Sequence, residues 1–368
     1  MNLYTGRVGI VQRVLPRYRA PFFDLLAQQC TGGLGVFAGA ARPNEEIPLA
    51  EKLEVAKWTR AKNWHLFGGP FYLCVQRGLT EWLGQWEPDV LIVEANPRYL
   101  STSAAIKVMK ARLRPVIGWG LGAPKSPNLT AGVQNWGRKR FLRQFDALIA
   151  YSQRGAAEYR NLVVPSDRIF VASNAVLSKS AARRPHRAVK PANQCVLLYV
   201  GRLQKRKRIE ALIQVCASLP TKLQPTLQIV GAGPTGDKLK KFAASVYPRT
   251  IFTGALFGAE LEHAFDAADL FVLPGSGGLA IQQAMAHGLP VIAAKGEDGI
   301  KDDMVQPGNG RLLELRDDSA LRQALVEALS DPERMSAMGK KSFDLVQREF
   351  NLENMVASFV AAINQVVA

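Results

Sequence analysis

The stretch FVLPGSGGLAIQQAMAHGLPVI, residues 271–292, gives the clearest indication of the fold. An apolar β-type run ends at Pro274 in a glycine-rich turn, a helical segment runs from Leu279 to His287, and a second β-type run begins at Val291. This order predicts a strand, a glycine turn, a helix and a strand. The free N–H groups and the dipole at the start of such a helix favour an anion, most often a phosphate. The stretch alone is equally consistent with a tight turn that binds no ligand.

The length and composition indicate a folded chain of more than one domain. A length of 368 residues exceeds the usual size of one hydrophobic core, so we expect two domains. Apolar residues make up 48% of the chain, but no apolar run is long enough to span a bilayer. The first residues enter a strand pattern directly, so we expect no signal peptide. Four cysteines without paired spacing favour a reducing cytosol, and the scattered histidines and cysteines predict no bound metal.

The formal net charge of +16 suggests an anionic partner, for which nucleic acid, an anionic membrane and a phosphorylated substrate are the candidates. Cations concentrate at residues 138–143 and 202–208. The second cluster lies between a β-type run and a helical segment that starts at Ile209. Cations at the start of a helix oppose its dipole, so a bound phosphate would offset them. The alternative is a solvated turn.

The first half of the chain alternates strand and helix signals, and two strand ends carry candidate acceptor-binding residues. A basic loop with Arg17 and Arg19 follows a strand at 8–11, and the apolar strand 89–95 includes Glu94 near its end. Ligands of open α/β sheets bind at the carboxyl ends of strands. Glu94 is therefore a candidate for a general base or for binding a substrate hydroxyl, unless it only pairs with Arg98. Simple surface exposure is the alternative for both arginines.

Segment 135–145, NWGRKRFLRQF, interleaves aromatic and apolar residues with cations. On a helix this gives an apolar face flanked by positive charge, which suits peripheral contact with an anionic membrane. An ordinary amphipathic helix that packs on the sheet has the same pattern.

Three further features define the domain organisation. Residues 178–194 lack apolar periodicity and form the predicted linker between domains at 1–177 and 195–346. Residues 231–236 contain GxGxxG, a weak dinucleotide signal because Pro234 interrupts it and no suitably placed acidic residue follows. Segment 347–368 is predicted to hold a last amphipathic helix from Leu352 to Val367.

Several of these motifs resemble the GT-B glycosyltransferases of family 4, also called group 1, of the bacterial polysaccharide or lipopolysaccharide type. The motifs are VGRLQKRKRIEALI, IVGAGP, FTGAL and the stretch at 271–292 in the second half, with LPRYRAPFFDLL and DVLIVEANPRYL in the first. The resemblance implies an α/β fold of two facing Rossmann-like domains with parallel sheets. Their cleft would hold the reaction, and the C-terminal helix would cross back to the first domain. It also implies a donor site in the second domain, with these residues: Gly201, Arg202, Lys207, Leu256, Gly275, Gly277, Gly278, Leu279, Ala280 and Gln283.

Two positions depart from the family pattern. The family carries a glutamate that touches the donor sugar and a second that bonds the ribose, where this chain has Gly275 and Gln283. Gln283 retains hydrogen-bonding capacity, whereas Gly275 offers no side chain. Leu121 also stands where many relatives have a histidine. The nucleobase, the sugar and the acceptor stay open.

The sequence therefore predicts a glycosyltransferase that moves a sugar from a nucleotide-diphosphate sugar to a hydroxyl of a glycan or lipid-linked acceptor. Arg202 and Lys207 would stabilise the leaving diphosphate, Glu94 would orient the acceptor hydroxyl, and Arg17 and Arg19 would bind the acceptor. The resemblance implies a retaining outcome, and the lack of an Asp-x-Asp motif agrees with metal-independent transfer without a cofactor. We expect a cytoplasmic protein, with contact at the inner membrane face. The alternatives are a non-catalytic nucleotide-sugar-binding subunit, a dinucleotide-dependent oxidoreductase and a nucleic-acid binder.

Overall fold

The computed structural model describes residues 3–368 except 43–44, 46, 124–130, 163, 180–188 and 297–298. It divides into two compact units. Unit 1 consists of Met1–Val176 and Leu352–Ala368, and unit 2 consists of Leu177–Asn351. Among the described residues, no helix combines the length and the apolar character needed to cross a lipid bilayer.

Unit 1 is built on a seven-stranded parallel sheet with a separate two-stranded hairpin. Its strands are β1 (Val8–Val14), β2 (Leu34–Gly39), β3 (Lys57–Arg60), β4 (Lys62–Leu66), β5 (Leu73–Arg77), β6 (Val90–Glu94), β7 (Val116–Gly120), β8 (Ala147–Ala150) and β9 (Ile169–Val171). Its helices before the linker are α1 (Ala20–Ala27), α2 (Leu79–Trp86), α3 (Leu100–Ala111), α4 (Ala131–Leu142) and α5 (Gln153–Asn161). The strand order is β3-β2-β1-β6-β7-β8-β9, and β4 pairs only with β5, antiparallel.

Unit 2 repeats the alternation around a six-stranded parallel sheet. Its strands are β10 (Val196–Val200), β11 (Thr226–Val230), β12 (Thr250–Gly254), β13 (Leu270–Leu273), β14 (Val291–Ala294) and β15 (Gly310–Leu313). Its helices are α6 (Ile209–Ala217), α7 (Gly236–Val246), α8 (Gly258–Ala267), α9 (Leu279–Ala286), α10 (Ile300–Met304), α11 (Asp318–Ser330) and α12 (Pro332–Arg348). The order β12-β11-β10-β13-β14-β15 is the 3-2-1-4-5-6 order of the Rossmann fold.

Each sheet reverses its winding direction at one point, and that point marks where a ligand is expected. In unit 1 the reversal lies between β1 and β6, and in unit 2 it lies between β10 and β13. Buried strands such as β13, in which all four residues are inaccessible, explain the continuous apolar runs in the sequence. These observations confirm the prediction of two Rossmann-like domains with parallel sheets.

The last helix, α13 (Leu352–Val367), belongs to unit 1 although it follows unit 2 in sequence. The ring of Phe359 is fully buried and lies 4.8 Å from the Phe22 ring and 4.9 Å from the Trp119 ring, measured between centroids. Full burial of one such side chain stabilises a fold by roughly 1.5–3 kcal/mol. The predicted return of the C-terminal helix to the first domain is confirmed.

Candidate functional site

In unit 2 the basic loop after β10 and the glycine turn after β13 interlock at the point where the sheet reverses. The backbone N–H of Ser276 donates to the Arg206 carbonyl at 3.3 Å, and the Arg206 guanidinium donates to the Ser276 hydroxyl at 2.8 Å. The Lys207 ammonium donates to the Ser276 carbonyl at 2.5 Å. Two sequence segments 70 residues apart therefore form one structure that carries both N–H groups and cations.

Gly275 is a glycine because another part of the backbone occupies the space of a side chain. A Cβ built at this position would lie 2.4 Å from the Arg206 carbonyl oxygen and 2.6 Å from the Lys207 carbonyl carbon. Contacts under 3 Å with backbone atoms force the chain to move. The backbone of the basic loop thus lies so close to Gly275 that it leaves no room for the glutamate of the family pattern.

Gly277 meets the same loop through its lysine. Its φ is +124°, a left-handed region that favours glycine, and a Cβ there would lie 2.7 Å from the Lys207 nitrogen. The Lys207 side chain is 9% exposed. The ammonium is therefore held directly beside the turn.

A second lysine reaches the same turn from α10. Lys301 is 1% exposed, and its ammonium donates to the Gly275 carbonyl at 3.0 Å. Burial, together with the charges of Arg206 and Lys301, lowers the pKa of Lys207 to about 8. An anion placed here would reverse this destabilisation of the charged lysine. The sequence analysis missed Lys301, which lies 26 residues from Gly275 and belongs to no recognised motif.

The other predicted donor residues surround this core. Helix α9 begins after Gly278 without a side-chain cap, so the amides near Leu279 and Ala280 lack a capping side chain. Gly201 has a φ of +156°, and the next carbonyl, of Arg202, accepts a hydrogen bond from Tyr199 at 3.3 Å. Gln283 lies on α9 and is partly accessible. Leu256 follows β12 and packs partly buried against the core of unit 2.

The GxGxxG turn is filled by the protein itself. A Cβ on Gly231 would lie 2.0 Å from the Gly201 carbonyl oxygen, and one on Gly233 would lie 2.4 Å from the Leu203 carbonyl oxygen. In a dinucleotide site these glycines let the backbone approach the pyrophosphate. Here they let it approach residues 201–203, which disfavours the oxidoreductase alternative.

In unit 1, Glu94 lies at the carboxyl end of β6, beside the point between β1 and β6 where the sheet reverses its winding direction. Its carboxylate accepts a hydrogen bond from the Arg13 backbone N–H. The described residues contain no ion pair between Glu94 and Arg98, so the alternative role of Glu94 as a partner of Arg98 is not observed. Burial raises the pKa of Glu94 to about 7, against the opposing effects of Arg13 and Arg19. A carboxyl group with such a pKa can accept a proton near neutral pH.

Arg19 and Arg17, two residues apart, have different environments. The Arg17 side chain is 65% exposed and pairs with Glu51 at 2.9 Å, as expected for a surface residue. Arg19 is only 4% exposed, and its guanidinium carbon lies 4.8 Å from the centre of the Trp119 ring and 5.7 Å from that of Tyr151. Among the described residues Arg19 forms no ion pair, and its hydrogen bond goes to the Met355 sulfur at 3.8 Å.

A further charged group near Glu94 was missed by the sequence analysis. The Arg13 side chain pairs with Glu45 at 2.8 Å, and Arg42 pairs with the same carboxylate at 3.1 Å. The Arg42 guanidinium also lies 4.5 Å from the centre of the Tyr72 ring. Only Arg42 and Glu45 are close in sequence, three residues apart, whereas Arg13 lies on β1 and Tyr72 lies before β5, so no sequence spacing links the whole group. In the part of the chain that the structure describes, no cluster of His, Cys, Asp and Glu could hold a metal ion.

Most apolar residues of segment 135–145 are inside unit 1. Phe141, Leu142 and Phe145 are buried in one core cluster, whereas Trp136 is 64% exposed. The apolar face of this helix therefore packs on the sheet, which is the ordinary alternative considered for the sequence pattern. Trp136 and the exposed Arg140 and Arg143 are accessible for contact with another surface.

Two family models match the chain in succession. The model described as "Glycosyl transferase 4-like domain" matches residues 27–175, and "Glycosyl transferases group 1" matches residues 182–344. Together they span most of both units.

Curated relatives and solved structures agree with these models. A monoacylated phosphatidylinositol monomannoside mannosyltransferase of Corynebacterium glutamicum, named as GDP-mannose-dependent, is 33% identical over 45% of this chain and 45% of its own. A GDP-mannose-dependent alpha-mannosyltransferase of the same organism is 38% identical over 38% of this chain and 32% of its own. The matched region thus spans less than half of each relative. Sucrose-phosphate synthase from Thermosynechococcus elongatus has the same fold, with a TM-score of 0.73, 19% identity and coverage of 98% and 99% of the two chains. Anabaena HepE in complex with UDP gives a TM-score of 0.69 at 16% identity, with coverage of 98% and 100%.

Proposed function

We propose that this chain, which belongs to the group 1 glycosyltransferases with the GT-B fold, transfers a sugar from a nucleotide-diphosphate sugar to a hydroxyl of a glycan or lipid-linked acceptor. Unit 2 binds the donor and unit 1 binds the acceptor. The reaction is retaining and needs no metal. The proposal rests on one observation: the basic loop and the glycine turn of unit 2 interlock and hold the Lys207 ammonium beside Gly277.

The chemistry needs a stabilised leaving group, because the nucleoside diphosphate departs with the electrons of the glycosidic bond. Arg202 and Lys207 bind its phosphates, and the amides at the start of α9 add hydrogen bonds and a favourable dipole. Arg206 holds the basic loop to the turn, and Lys301 holds the turn to α10. A diphosphate also compensates the burial of the Lys207 charge, which restores its pKa toward the ordinary value.

The acceptor hydroxyl donates a hydrogen bond to the Glu94 carboxylate, which orients it and moves electron density onto its oxygen. Arg19 binds an anionic group of the acceptor. Among the described residues the buried Arg19 guanidinium forms no direct ion pair, and the surrounding aromatic rings and the charge of nearby Glu94 offset only part of the cost of its burial. An acceptor phosphate or carboxylate supplies the missing partner, in agreement with a lipid-diphosphate-linked or lipopolysaccharide-type acceptor. Arg17 takes at most a peripheral part.

The proposal includes peripheral contact of segment 135–145 with an anionic membrane, but through fewer residues than the sequence pattern predicts. Trp136 supplies its exposed aromatic ring, and the Arg140 guanidinium lies 5.8 Å from the centre of that ring.

A thermal-shift panel of GDP-, UDP-, ADP- and dTDP-sugars tests donor binding. GDP-mannose comes first, because two relatives are named as dependent on it. A ligand at 100 times its Kd stabilises the folded state by about 2.7 kcal/mol. Lys207→Ala abolishes the shift, whereas Lys205→Ala, which removes an exposed lysine of the same loop, preserves it.

Turnover is then measured with the stabilising donor and a lipid-linked or glycan acceptor. A shift without transfer to any acceptor would favour a non-catalytic binding subunit. An unchanged shift in Lys207→Ala would place the phosphate site elsewhere.

A further inference from the structure

The β4–β5 hairpin of unit 1 has its polar face inward and its apolar face outward. Asn63 and Gln76 form a cross-strand pair on the inner face, and their amides donate to the Arg13 and Gln12 carbonyls at 2.6 and 3.0 Å. The outer face carries Trp64 and Leu66, which are 46% and 38% exposed. A sheet that packs on a core normally shows the opposite arrangement.

The tip of the hairpin is more apolar and more exposed than its strands. Phe67 and Phe71 are 74% and 78% exposed on either side of the Gly68–Gly69 pair. Soluble proteins rarely expose several large apolar side chains together without an interaction that uses them.

All the formally charged residues of the hairpin segment itself are positive. No acidic residue occurs between Val55 and Thr80, a range that contains four cations: Lys57, Arg60, Lys62 and Arg77. Among the described residues none of these four forms an ion pair. The Arg77 guanidinium lies 4.4 Å from the centre of the Trp64 ring, which leaves its charge near the apolar face.

The groups follow a fixed order along the hairpin. Lys62 pairs with Arg77 at its base, Trp64 comes next, Leu66 pairs with Leu73, and the two phenylalanines lie at the tip. Five residues of extended strand cover about 15 Å. This order matches the depth profile of a lipid leaflet. Cations suit the headgroups, aromatic rings suit the interface, and aliphatic and phenyl groups suit the acyl chains.

We propose that the β4–β5 hairpin docks on an anionic lipid bilayer, with Phe67 and Phe71 inserted below the headgroups and with Lys62 and Arg77 on the lipid phosphates. The four cations of the segment, which form no ion pair among the described residues, complement an anionic surface. This contact is independent of sugar transfer, and it assigns the main membrane-binding surface to the hairpin, not to segment 135–145.

Vesicle sedimentation tests the proposal with the full chain. The wild-type protein binds vesicles of phosphatidylcholine with 30 mol% phosphatidylglycerol, binds pure phosphatidylcholine at least tenfold more weakly, and is released by raised salt. The double variant Phe67→Ser/Phe71→Ser lowers the partition coefficient by at least about tenfold. Lys62→Gln/Arg77→Gln lowers it by about tenfold on the anionic vesicles only.

Two matched controls locate the contact. Phe257→Ser replaces a phenylalanine of unit 2 that is 67% exposed and changes the partition coefficient less than twofold. Trp136→Ser has a smaller effect than the double phenylalanine variant. The proposal would be overturned if Phe67→Ser/Phe71→Ser bound vesicles as well as the wild type, or if Trp136→Ser alone abolished binding. It would also be overturned if the wild type bound neutral and anionic vesicles equally.

A probe on the tip makes the result independent of how well the variants fold. The four natural cysteines, Cys30, Cys74, Cys195 and Cys216, are buried. A polarity-sensitive fluorophore on Phe67→Cys therefore reports one accessible site. Its emission shifts to the blue with anionic vesicles, and an unchanged spectrum at saturating lipid refutes insertion.

Discussion

A side chain introduced at Gly275 tests whether the donor site has degenerated by losing a glutamate or whether its packing requires a glycine at this position. The family pattern has a glutamate at this position, so Gly275→Glu restores the residue expected from the family. The structure predicts that the restoration fails. The new Cβ would meet the Arg206 carbonyl oxygen at 2.4 Å and the Lys207 Cα at 2.7 Å.

The size of the effect follows from what holds those backbone atoms. The Ser276 N–H bonds to the Arg206 carbonyl, and the Lys207 N–H bonds to the Gln204 carbonyl at 2.9 Å. Arg208 follows in the left-handed region with φ +57°. A loop fixed in this way has little room to move, and overpacking of this kind typically costs about 1–3 kcal/mol. Gly275→Ala, which adds only the Cβ, should lower the melting temperature by roughly 4–8 °C for a cost of about 2 kcal/mol.

Thermal melts and donor titrations measure the outcome. Gly275→Ala and Gly275→Glu should both weaken donor binding, because the shift of the basic loop displaces Lys207. Gly236→Ala is the matched control within unit 2, since its Cβ would meet the Leu203 side chain at an ordinary 3.5 Å. The reasoning is refuted if Gly275→Ala melts within 1 °C of the control, or if Gly275→Glu binds the donor or turns it over better than the wild type.

Four further predictions concern charge. Because the pKa of Lys207 is about 8, the Kd for the donor should rise about tenfold per pH unit above pH 8, and this pH dependence should be absent in Lys207→Met titrations. The pKa of Glu94 is raised to about 7, so kcat/KM should rise from pH 6 to 8 as the carboxylate forms, and Glu94→Gln should lower kcat about 100-fold and remove that limb of the profile. Since the raised pKa favours protonated Glu94 in the folded state, its stabilising contribution is complete below about pH 4.5 and is lost as the pH rises through 7, a dependence that urea unfolding of Glu94→Gln should lack. Arg19→Met should raise the acceptor KM at least tenfold without lowering the melting temperature, because it removes a buried charge, whereas a lower melting temperature with an unchanged KM would make Arg19 a structural residue.

Local sequence patterns contained most of the fold. Apolar strand runs that end in glycine or proline, each followed by a helical segment, predict a parallel sheet wherever they occur, because each pattern involves only neighbouring residues. The last helix was recognisable from its apolar periodicity, and its return to unit 1 followed from the family resemblance. Glu94 and the loop at 202–208 could be singled out because strand ends and helix starts favour ligands whatever the rest of the chain does.

Which of these residues meet one another was decided only by the tertiary structure. The alternation of polar and apolar residues in β4 and β5 permits either face to point inward. The hydrogen bonds from the Asn63 and Gln76 side-chain amides to β1 place the polar face inward, which is the less common arrangement. Arg17 and Arg19 look alike in sequence, yet only Arg19 is enclosed by aromatic rings. Gly275 and Lys301 gain their importance from the backbone at 206–207, which is distant in sequence. Contacts of this kind depend on packing between remote segments, and no local pattern encodes them.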